Sequence, residues 1–255
     1  MQRSFSTPAI ILNLKPQGEN NSAVTIITPE KGILYVTLYG GPKSKMKSIV
    51  SQWNSGIIYL YENPEKNQIK ISDFEVKSYH NSFSQNLFKL YAASLAAELL
   101  IKTSCGGSNQ QSWNLISGLL DGMELSTEEQ SRLGLIRFLW RYLEILGIQP
   151  DTSCCGFCDN SFLTPKFAPD NICYYNIVEN NCICDECISS HNQTFALKIQ
   201  GARYLTGISV LTPAEVRKLQ IDKESFYQIR DLIFFLIENN IGTKLNTIET
   251  GMGIL

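Results

Sequence analysis

Short runs of apolar and β-branched residues, each ended by a turn signal, characterise the first 80 residues of the chain. Glycine and proline at 29–32 and at 40–42 predict turns, because neither residue suits the interior of a strand. Five short strands without a long helix between them predict a small closed barrel, and the OB type is the natural five-stranded candidate. The predicted strands lie at 9–14, 23–28, 33–39, 57–61 and 69–71.

The pattern changes near residue 82 from alternation to a helical period. Apolar residues recur at helical spacing between 87 and 99, with alanines that favour helix between them. The stretches 126–129 and 212–215 predict capping boxes, in which a hydroxyl and a carboxylate three residues later bond to free amides at a helix start. The sequence therefore predicts an α+β protein, with an N-terminal five-stranded OB-type β-barrel domain at 1–80 and an α-helical domain at 81–255.

Four of the eight cysteines form two C-x-x-C pairs, with 25 residues between them. Two sulfurs of one pair can occupy adjacent vertices of a tetrahedron, about 2.3 Å from Zn²⁺, and a second pair completes it. Four protein ligands leave no position for water, so such a site is structural rather than catalytic. We expect one structural Zn²⁺ in a Cys-rich, loop-like module at about 151–190, bound by Cys155, Cys158, Cys184 and Cys187.

Three other interpretations of the cysteines stay open. A redox C-x-x-C site follows a strand in a βαβ pattern, whereas Cys155 lies in a loop-rich segment. A zinc deaminase needs a His-x-Glu sequence, and neither His80 nor His191 has Glu two residues later. The third interpretation is a set of unconnected reduced thiols. The spacing assigns no role to the cysteines at 105, 154, 173 and 182.

Charge is distributed unevenly along a chain whose formal net charge is −2. Residues 1–80 carry nine basic and six acidic side chains, whereas residues 151–195 carry one and six. A polyanion would therefore bind to the predicted barrel, although a net charge of +3 is also ordinary for a solvated surface.

The most concentrated basic segment, 40–48, directly follows a predicted strand. Its alternate lysines, Lys43, Lys45 and Lys47, would point to the same side of an extended loop, and the small residues between them let a phosphate approach. The alternative is a solvated loop without a ligand.

Three aromatic residues flank this basic segment and offer faces on which nucleic-acid bases can stack. They are Tyr35, Tyr39 and Trp53. Residues of this kind also fill the interior of small barrels, and we expect Tyr35 and Trp53 to belong to the core.

Catalytic and membrane signals are absent from the sequence. Two histidines without a nearby acidic partner offer little acid–base capacity, and no phosphate-binding loop occurs. No apolar run approaches the roughly 18 residues of a membrane-spanning helix, and the first residues lack a signal-peptide core. We expect a cytoplasmic binding protein rather than an enzyme.

Two motifs resemble the RecO family of bacterial recombination and DNA-repair mediators. One is ENNSAVTIITPEKG at 19–32 followed by GPKSK at 41–45, similar to the family's apolar strand, Thr-x-x-x-Gly and Gly-rich basic loop. The other is the two C-x-x-C pairs after a helical stretch. The motifs occur in the family's order, and the last 60 residues match only in helical character.

The resemblance implies an OB fold and a helical domain with a zinc module. It also implies a non-enzymatic activity: binding single- and double-stranded DNA and annealing complementary strands. With the partner RecR, such a protein helps to load RecA onto DNA covered by single-strand-binding protein, in the nucleoid-associated cytoplasm. The implied DNA-binding positions of this sequence are Lys31, Lys43, Lys45 and Lys47, with Tyr39 as a stacking residue.

Two other functions are compatible with the same features. A zinc-stabilised OB protein can bind RNA or ribosomal partners, since OB folds accept either nucleic acid. The acidic total charge also suits a protein-interaction scaffold that binds no nucleic acid.

Overall fold

A computed structural model describes residues 3–40, 44–188 and 195–255. The chain divides into two compact units, one formed by Met1–Leu135 with Lys244–Leu255 and the other by Ile136–Thr243. The first unit contains a β-barrel and the second a smaller sheet. The predicted α+β class is confirmed, and the functional domain limits at 1–80 and 81–255 stay a prediction.

Five strands close into a barrel in the order β1-β2-β3-β5-β4, as predicted for the N-terminal region. Neighbouring strands are antiparallel, except that β3 and β5 run parallel. The strands exceed the apolar runs because their polar, outward positions continue the pairing. They are β1 (Ser4–Gln17), β2 (Asn21–Thr28), β3 (Gly32–Leu38), β4 (Ser55–Asn63) and β5 (Gln68–Ser78).

The barrel core consists of aliphatic and aromatic side chains that alternate inward from all five strands. Each fully buried side chain of this kind stabilises the fold by roughly 1.5–3 kcal/mol relative to an exposed position. The core includes Ile11, Val24, Ile26, Val36, Leu38, Ile58, Leu60 and Phe74.

A short helix, α1 (Lys45–Ile49), includes four of the six described residues of the segment 40–48, which we expected to be an extended loop. Met46 and Ile49 are three residues apart, so a helix brings both to one face, where they pack against the barrel core. The extended-loop prediction is therefore wrong for Lys45 and Lys47, and Lys43 lies outside the described residues.

Longer helices follow the barrel. Leu87–Lys102 confirms the predicted helix, whereas the helices at Asn109–Leu125 and Ile199–Val210 were not predicted. No helix in the described ranges is long and apolar enough to cross a membrane. The helices are α2 (Leu87–Lys102), α3 (Asn109–Leu125), α4 (Glu128–Ile145), α5 (Ile199–Val210), α6 (Pro213–Val216), α7 (Lys223–Ile241) and α8 (Asn246–Thr250).

The first capping box lies one residue later than predicted. Gln130 N donates to Thr127 Oγ1 at 3.3 Å, and Thr127 N donates to Gln130 Oε1 at 3.2 Å. An amide three residues after the hydroxyl serves as well as a carboxylate, so the sequence offered two overlapping boxes. The second box, formed by Thr212 and Glu215, is present as predicted.

The Cys-rich segment contains strands where we expected a loop. The order of the sheet is β6-β8-β7-β9, with β6 and β8 parallel. Cysteines occupy several buried positions in place of aliphatic residues, so the usual β-branched signal is missing. The strands are β6 (Asp151–Cys155), β7 (Ile172–Asn176), β8 (Asn181–Cys184) and β9 (Phe195–Lys198).

One arginine on α5 fastens the long connection between β6 and β7. The guanidinium of Arg203 donates to the carbonyl oxygens of Phe162, Thr164 and Phe167 at 2.6, 2.9 and 2.7 Å. The planar fork of donors suits three convergent carbonyls, so this side chain orders a segment that has little regular structure.

Candidate metal centre and nucleic-acid interface

The parallel pairing of β6 and β8 brings the two C-x-x-C pairs together. Each strand ends at the first cysteine of a pair, and the second cysteine lies in the turn that follows. Because both strands end at the same edge of the sheet, all four sulfurs converge there. The sulfur atoms lie within 4.8 Å of one another and form the four-cysteine cluster: Cys155, Cys158, Cys184 and Cys187.

The backbone around the cluster is closely packed. Cys184 N donates to Cys155 Sγ at 3.4 Å, and Asn160 Nδ2 donates to Cys158 Sγ at 3.1 Å. A Cβ at Gly156 would displace the side-chain amide of Asn181. Glycine at the second position of the first pair lets the turn lie close to β8, where Gly156 N donates to the carbonyl oxygen of Cys182 at 2.8 Å.

Ionisation of the cluster is uneven. Burial raises the pKa of the Cys155 thiol, but hydrogen bonds from the backbone amides of Cys184, Cys158 and Phe157 outweigh it and bring the pKa to about 7. Hydrogen bonds with Cys184 and Cys158 raise the pKa of Cys187 to about 12. Four neighbouring thiols cannot all ionise without a cation, because their negative charges repel one another. A bound metal ion supplies the positive charge that lets all four become thiolates.

The donor set fits a tetrahedral metal ion. A tetrahedron with metal–sulfur bonds of about 2.3 Å has sulfur–sulfur edges of about 3.8 Å. The Sγ atoms of Cys158 and Cys184 are 3.8 Å apart. The cluster can therefore hold a metal ion with four thiolates and no open position.

The remaining cysteines lie outside the cluster. Cys173 and Cys182 are buried in the sheet, where they act as small apolar side chains. Cys154 Sγ turns toward Asp151, at 3.5 Å from Oδ2. Cys105 is buried in the first unit, and this burial raises its pKa to about 11. The structure thus brings together the four sulfurs that the C-x-x-C spacing indicated and leaves the other four outside the cluster.

Of the four predicted DNA-binding lysines, the three within the described residues lie at two places in the barrel region. Lys31 is in the turn between β2 and β3, with Nζ 4.1 Å above the ring of Phe5. Lys45 is exposed and Lys47 half-buried on α1, where residues two apart do not share a face. Within the described ranges, no carboxylate oxygen lies within 4.0 Å of these three ammonium groups.

The aromatic residues of the barrel divide between core and surface. Trp53 is buried, as expected, whereas Tyr35 is 68% exposed, so its assignment to the core is wrong. Val36 and Leu38 set the inward phase of β3 and turn Tyr35 outward. Tyr39 is 45% exposed, and Tyr59 on β4 also faces outward.

Sequence reasoning missed the outward tyrosines of β4 and the lysine paired with them on β5. Tyr59 and Tyr61 alternate with the buried Ile58 and Leu60, and Lys70 lies opposite Tyr61. The period-2 pattern of β4 contained this information, because two inward residues fix the direction of their neighbours.

Comparisons with known proteins agree with these features. Residues 84–248 match the family model described as "Recombination protein O C terminal". The chain is similar to the DNA repair protein RecO of Bacillus subtilis, with 20% identity over 244 residues that cover 93% of this chain and 90% of that protein. It is 29% identical over 197 residues to RecO of Mycoplasma mycoides, covering 72% and 74% of the two chains.

Another relative matches a shorter part. The DNA repair protein RecO of Acaryochloris marina is 28% identical over 158 residues, which cover 61% of this chain and 53% of that protein. The match thus spans about half the length of this relative. The family model alone covers more than half of the present chain and includes the whole four-cysteine cluster. The chain therefore belongs to the recombination protein O (RecO) family.

Proposed function

We propose that this chain is a non-enzymatic DNA-repair protein that binds single- and double-stranded DNA on its barrel and anneals complementary strands. The observation that carries the proposal is a barrel surface with outward tyrosines and with lysines that have no carboxylate partner among the described residues. Family membership supports it, because the curated relatives are named DNA repair proteins.

Annealing in this proposal needs no chemical step. Lysine–phosphate contacts supply affinity without sequence preference, because they release the counterions that surround the nucleic acid. Holding two strands on one protein raises their effective concentration, which speeds pairing. His80, which the sequence left without an acidic partner, lies with Nε2 2.9 Å from Asp121 Oδ1, but its ring is buried and its Nδ1 is 2.7 Å from Trp53 O, so both ring nitrogens are used within the fold.

The four-cysteine cluster has a structural role in the proposal, with one Zn²⁺ bound by Cys155, Cys158, Cys184 and Cys187. A bound zinc ion supplies four strong bonds that join the ends of β6 and β8. The closed donor set suits this role, because it leaves no place for a substrate or an activated water.

Partners follow from family membership. We propose that the chain acts with RecR, that it meets single-strand-binding protein on coated DNA, and that it promotes loading of RecA indirectly. The site of action is then the nucleoid-associated cytoplasm. Pull-down of purified RecR and of single-strand-binding protein with this chain tests each contact separately.

A salt titration of DNA binding tests the barrel proposal. Each lysine contact with single-stranded DNA contributes about −0.7 to the slope of log K against log salt, so the three lysines of 43–47 contribute about −2. The variant Lys43→Ala/Lys45→Ala/Lys47→Ala should lose this part of the slope in fluorescence polarisation. A control with Lys218, Lys223 and Lys244 changed to Ala should keep it.

The outcomes separate the competing functions. A triple variant with the wild-type slope would show that the 43–47 segment is not part of the DNA-binding site. A wild-type protein that binds no nucleic acid at low salt would support the function of a protein-interaction scaffold. Faster annealing of RNA than of DNA strands would favour an RNA-binding function. A zinc content near zero with reactive Cys155 and Cys158 thiols would favour a redox role.

A further inference from the structure

The barrel carries a cleft of about 520 Å³ on its outer surface. Its position follows from the strand pairing: β3 and β5 share one paired position in the part of the chain that the structure describes, Thr37 opposite Lys70. Among the described residues no further pair joins β3 and β5, and the cleft lies beside the start of β5, next to Tyr39. The lining includes Tyr39, Tyr61, Asn63, Lys66, Gln68 and Lys70.

The side chains that line the cleft point outward because of strand alternation. On β5, Ile71 faces the barrel core, so Gln68, Lys70 and Ser72 face away from it. Gln68 Nε2 donates to Thr37 Oγ1 at 3.3 Å and joins the two strands across the opening. Most of the lining therefore lies on paired strands, whereas Lys66 lies in the turn between β4 and β5 and Tyr39 directly follows β3.

In this cleft the ammonium group of Lys70 lies over the aromatic ring of Tyr61. Lys70 Nζ lies 4.6 Å from the ring centroid of Tyr61. Lys66 is exposed in the turn between β4 and β5, and neither ammonium group has a carboxylate oxygen within 4.0 Å among the described residues. Tyr39, which directly follows β3 and is 45% exposed, contributes a second ring. The lining contains two positive charges and no acidic residue.

We propose that this cleft binds a nucleotide of single-stranded nucleic acid, with the base against Tyr61 or Tyr39 and the phosphate at Lys70 and Lys66. The inference rests on the proposed function and adds a site to it. One nucleotide consists of a base with a flat apolar face and a phosphate anion, joined by a sugar. The cleft offers a matching pair, an aromatic face and a cation in contact with each other. A duplex buries its base faces, so the cleft distinguishes single strands from double strands.

The side-chain amides in the cleft should distinguish little between the four bases. Asn63 and Gln68 each carry both donors and acceptors, and part of this capacity is used within the protein, by Glu65 N and by Thr37. Stacking is possible for every base, since each has a π-face. Such a site suits an annealing protein, which must hold strands of any sequence.

Variants of the cleft test the inference by fluorescence polarisation with a labelled oligothymidylate. Tyr61→Ala should weaken binding about fivefold or more, because one stacked base is lost. Lys66→Ala/Lys70→Ala should reduce the salt slope by about 1.4. Tyr61→Phe keeps the ring and should bind as wild type does. The matched controls are Tyr79→Ala and Lys77→Ala, exposed residues of the same unit outside the lining, and they should leave affinity and slope unchanged.

Photo-crosslinking gives a readout that does not depend on the stability of a variant. Wild-type protein is irradiated with an oligonucleotide that carries 5-iododeoxyuridine, and the crosslinked peptides are identified by mass spectrometry. Crosslinks at Tyr61 or Tyr39 support the cleft. Crosslinks confined to other residues, together with wild-type binding by the Lys66/Lys70 double variant, overturn it.

Failure of the cleft and failure of the proposed function give different results. A wild-type protein that binds neither single- nor double-stranded DNA overturns both. A wild-type protein whose binding is lost in the 43–47 lysine variant but kept in every cleft variant overturns the cleft alone. Equal loss of single-strand and duplex binding in Tyr61→Ala would also overturn it, because stacking requires an exposed base.

Discussion

The barrel and the four-stranded sheet of β6–β9 are both β-structures, but different chemistry stabilises them. Every barrel strand has a neighbour on both sides, and the interior is filled by aliphatic side chains such as Ile26 and Ile58. The sheet of the second unit is open, its strands have four or five residues, and several of its buried positions are cysteines. Burial of apolar surface is sufficient for the first but contributes less to the second.

Because of this difference, the stability of each region should depend on different solution conditions. Hydrophobic burial in the barrel does not depend on ions or on redox state. The second sheet has the four-cysteine cluster at one edge, the Arg203 fork over its long connection, and Lys198 of β9 bound to carboxylates at the start of α7. Its order should therefore respond to chelation, oxidation and pH, whereas that of the barrel should not.

Metal removal should have the largest effect. Chelation, or Cys184→Ser, should remove most of the hydrogen-exchange protection of 151–198 and leave that of 4–78 unchanged. The reason is that metal binding to four thiolates supplies apparent free energies of about 10–16 kcal/mol in small zinc peptides. Cys154→Ser is the matched control, because Cys154 is adjacent to Cys155 but outside the cluster. A chelated protein with a fully protected second sheet would contradict the comparison.

A cavity in the barrel core should destabilise the barrel and not the second sheet. Ile26→Ala should lower the free energy of unfolding of the barrel by about 2–5 kcal/mol, since the side chain is fully buried among the core residues. The loss should be the same in the presence and absence of chelator, as measured by urea unfolding. Thr25→Ala, one position away and partly exposed, should cost about 0.5 kcal/mol or less. Release of metal by Ile26→Ala would show that the two regions are not independent.

The arginine fork should have an intermediate effect. Arg203→Lys keeps the charge but replaces a planar group by a point charge that cannot reach three carbonyl oxygens, so we expect a loss of about 2–3 kcal/mol. Hydrogen exchange should increase at 161–168 in particular. Arg217→Lys, at an exposed position, is the control. Unchanged hydrogen exchange at 161–168 would show that other contacts order that connection.

Acidification should have the smallest effect. The carboxylate of Asp222 accepts a hydrogen bond from Ser225 N at 2.7 Å and one from Lys198 Nζ at 3.1 Å, and these bonds lower its pKa. A lowered pKa in the folded state stabilises the fold above the ordinary carboxyl value of about 3.9, and this contribution is lost as the pH falls through the folded-state value.

The difference in stability between wild type and Asp222→Asn should therefore be largest near neutral pH and should shrink below pH about 4. Urea unfolding across this range measures it. Glu179→Gln, an exposed carboxylate of the same unit, is the control and should show no comparable trend. If the difference in stability is constant across the pH range, the ionised carboxylate of Asp222 is not its cause.

Much of the barrel was predictable because its signals are local. Runs of β-branched residues, the turn at 29–32 and strand alternation all act over a few residues, and they gave the correct number of strands. The two C-x-x-C pairs were predictable for the same reason, since metal-ligand spacing is set by the geometry of a short turn.

Other features depended on residues distant in the sequence. The strands of 151–198 were missed because a buried cysteine is not a strand signal, and its burial is decided by the sheet that covers it. The helix at Lys45–Ile49 was missed because its two apolar residues gain their contacts only when the barrel core is present. Tyr35 was assigned to the core because composition does not give the inward phase of a strand.

By itself, the sequence determined the five strands of the barrel, the cysteine spacing and the family, since all of these are properties of neighbouring residues. Only the tertiary structure showed how the two predicted pairs meet, because the parallel pairing of β6 and β8 brings two distant turns to one edge. It also decided that Tyr61 and Lys70 share a cleft, because adjacent strands rather than adjacent residues bring a ring and a cation into contact.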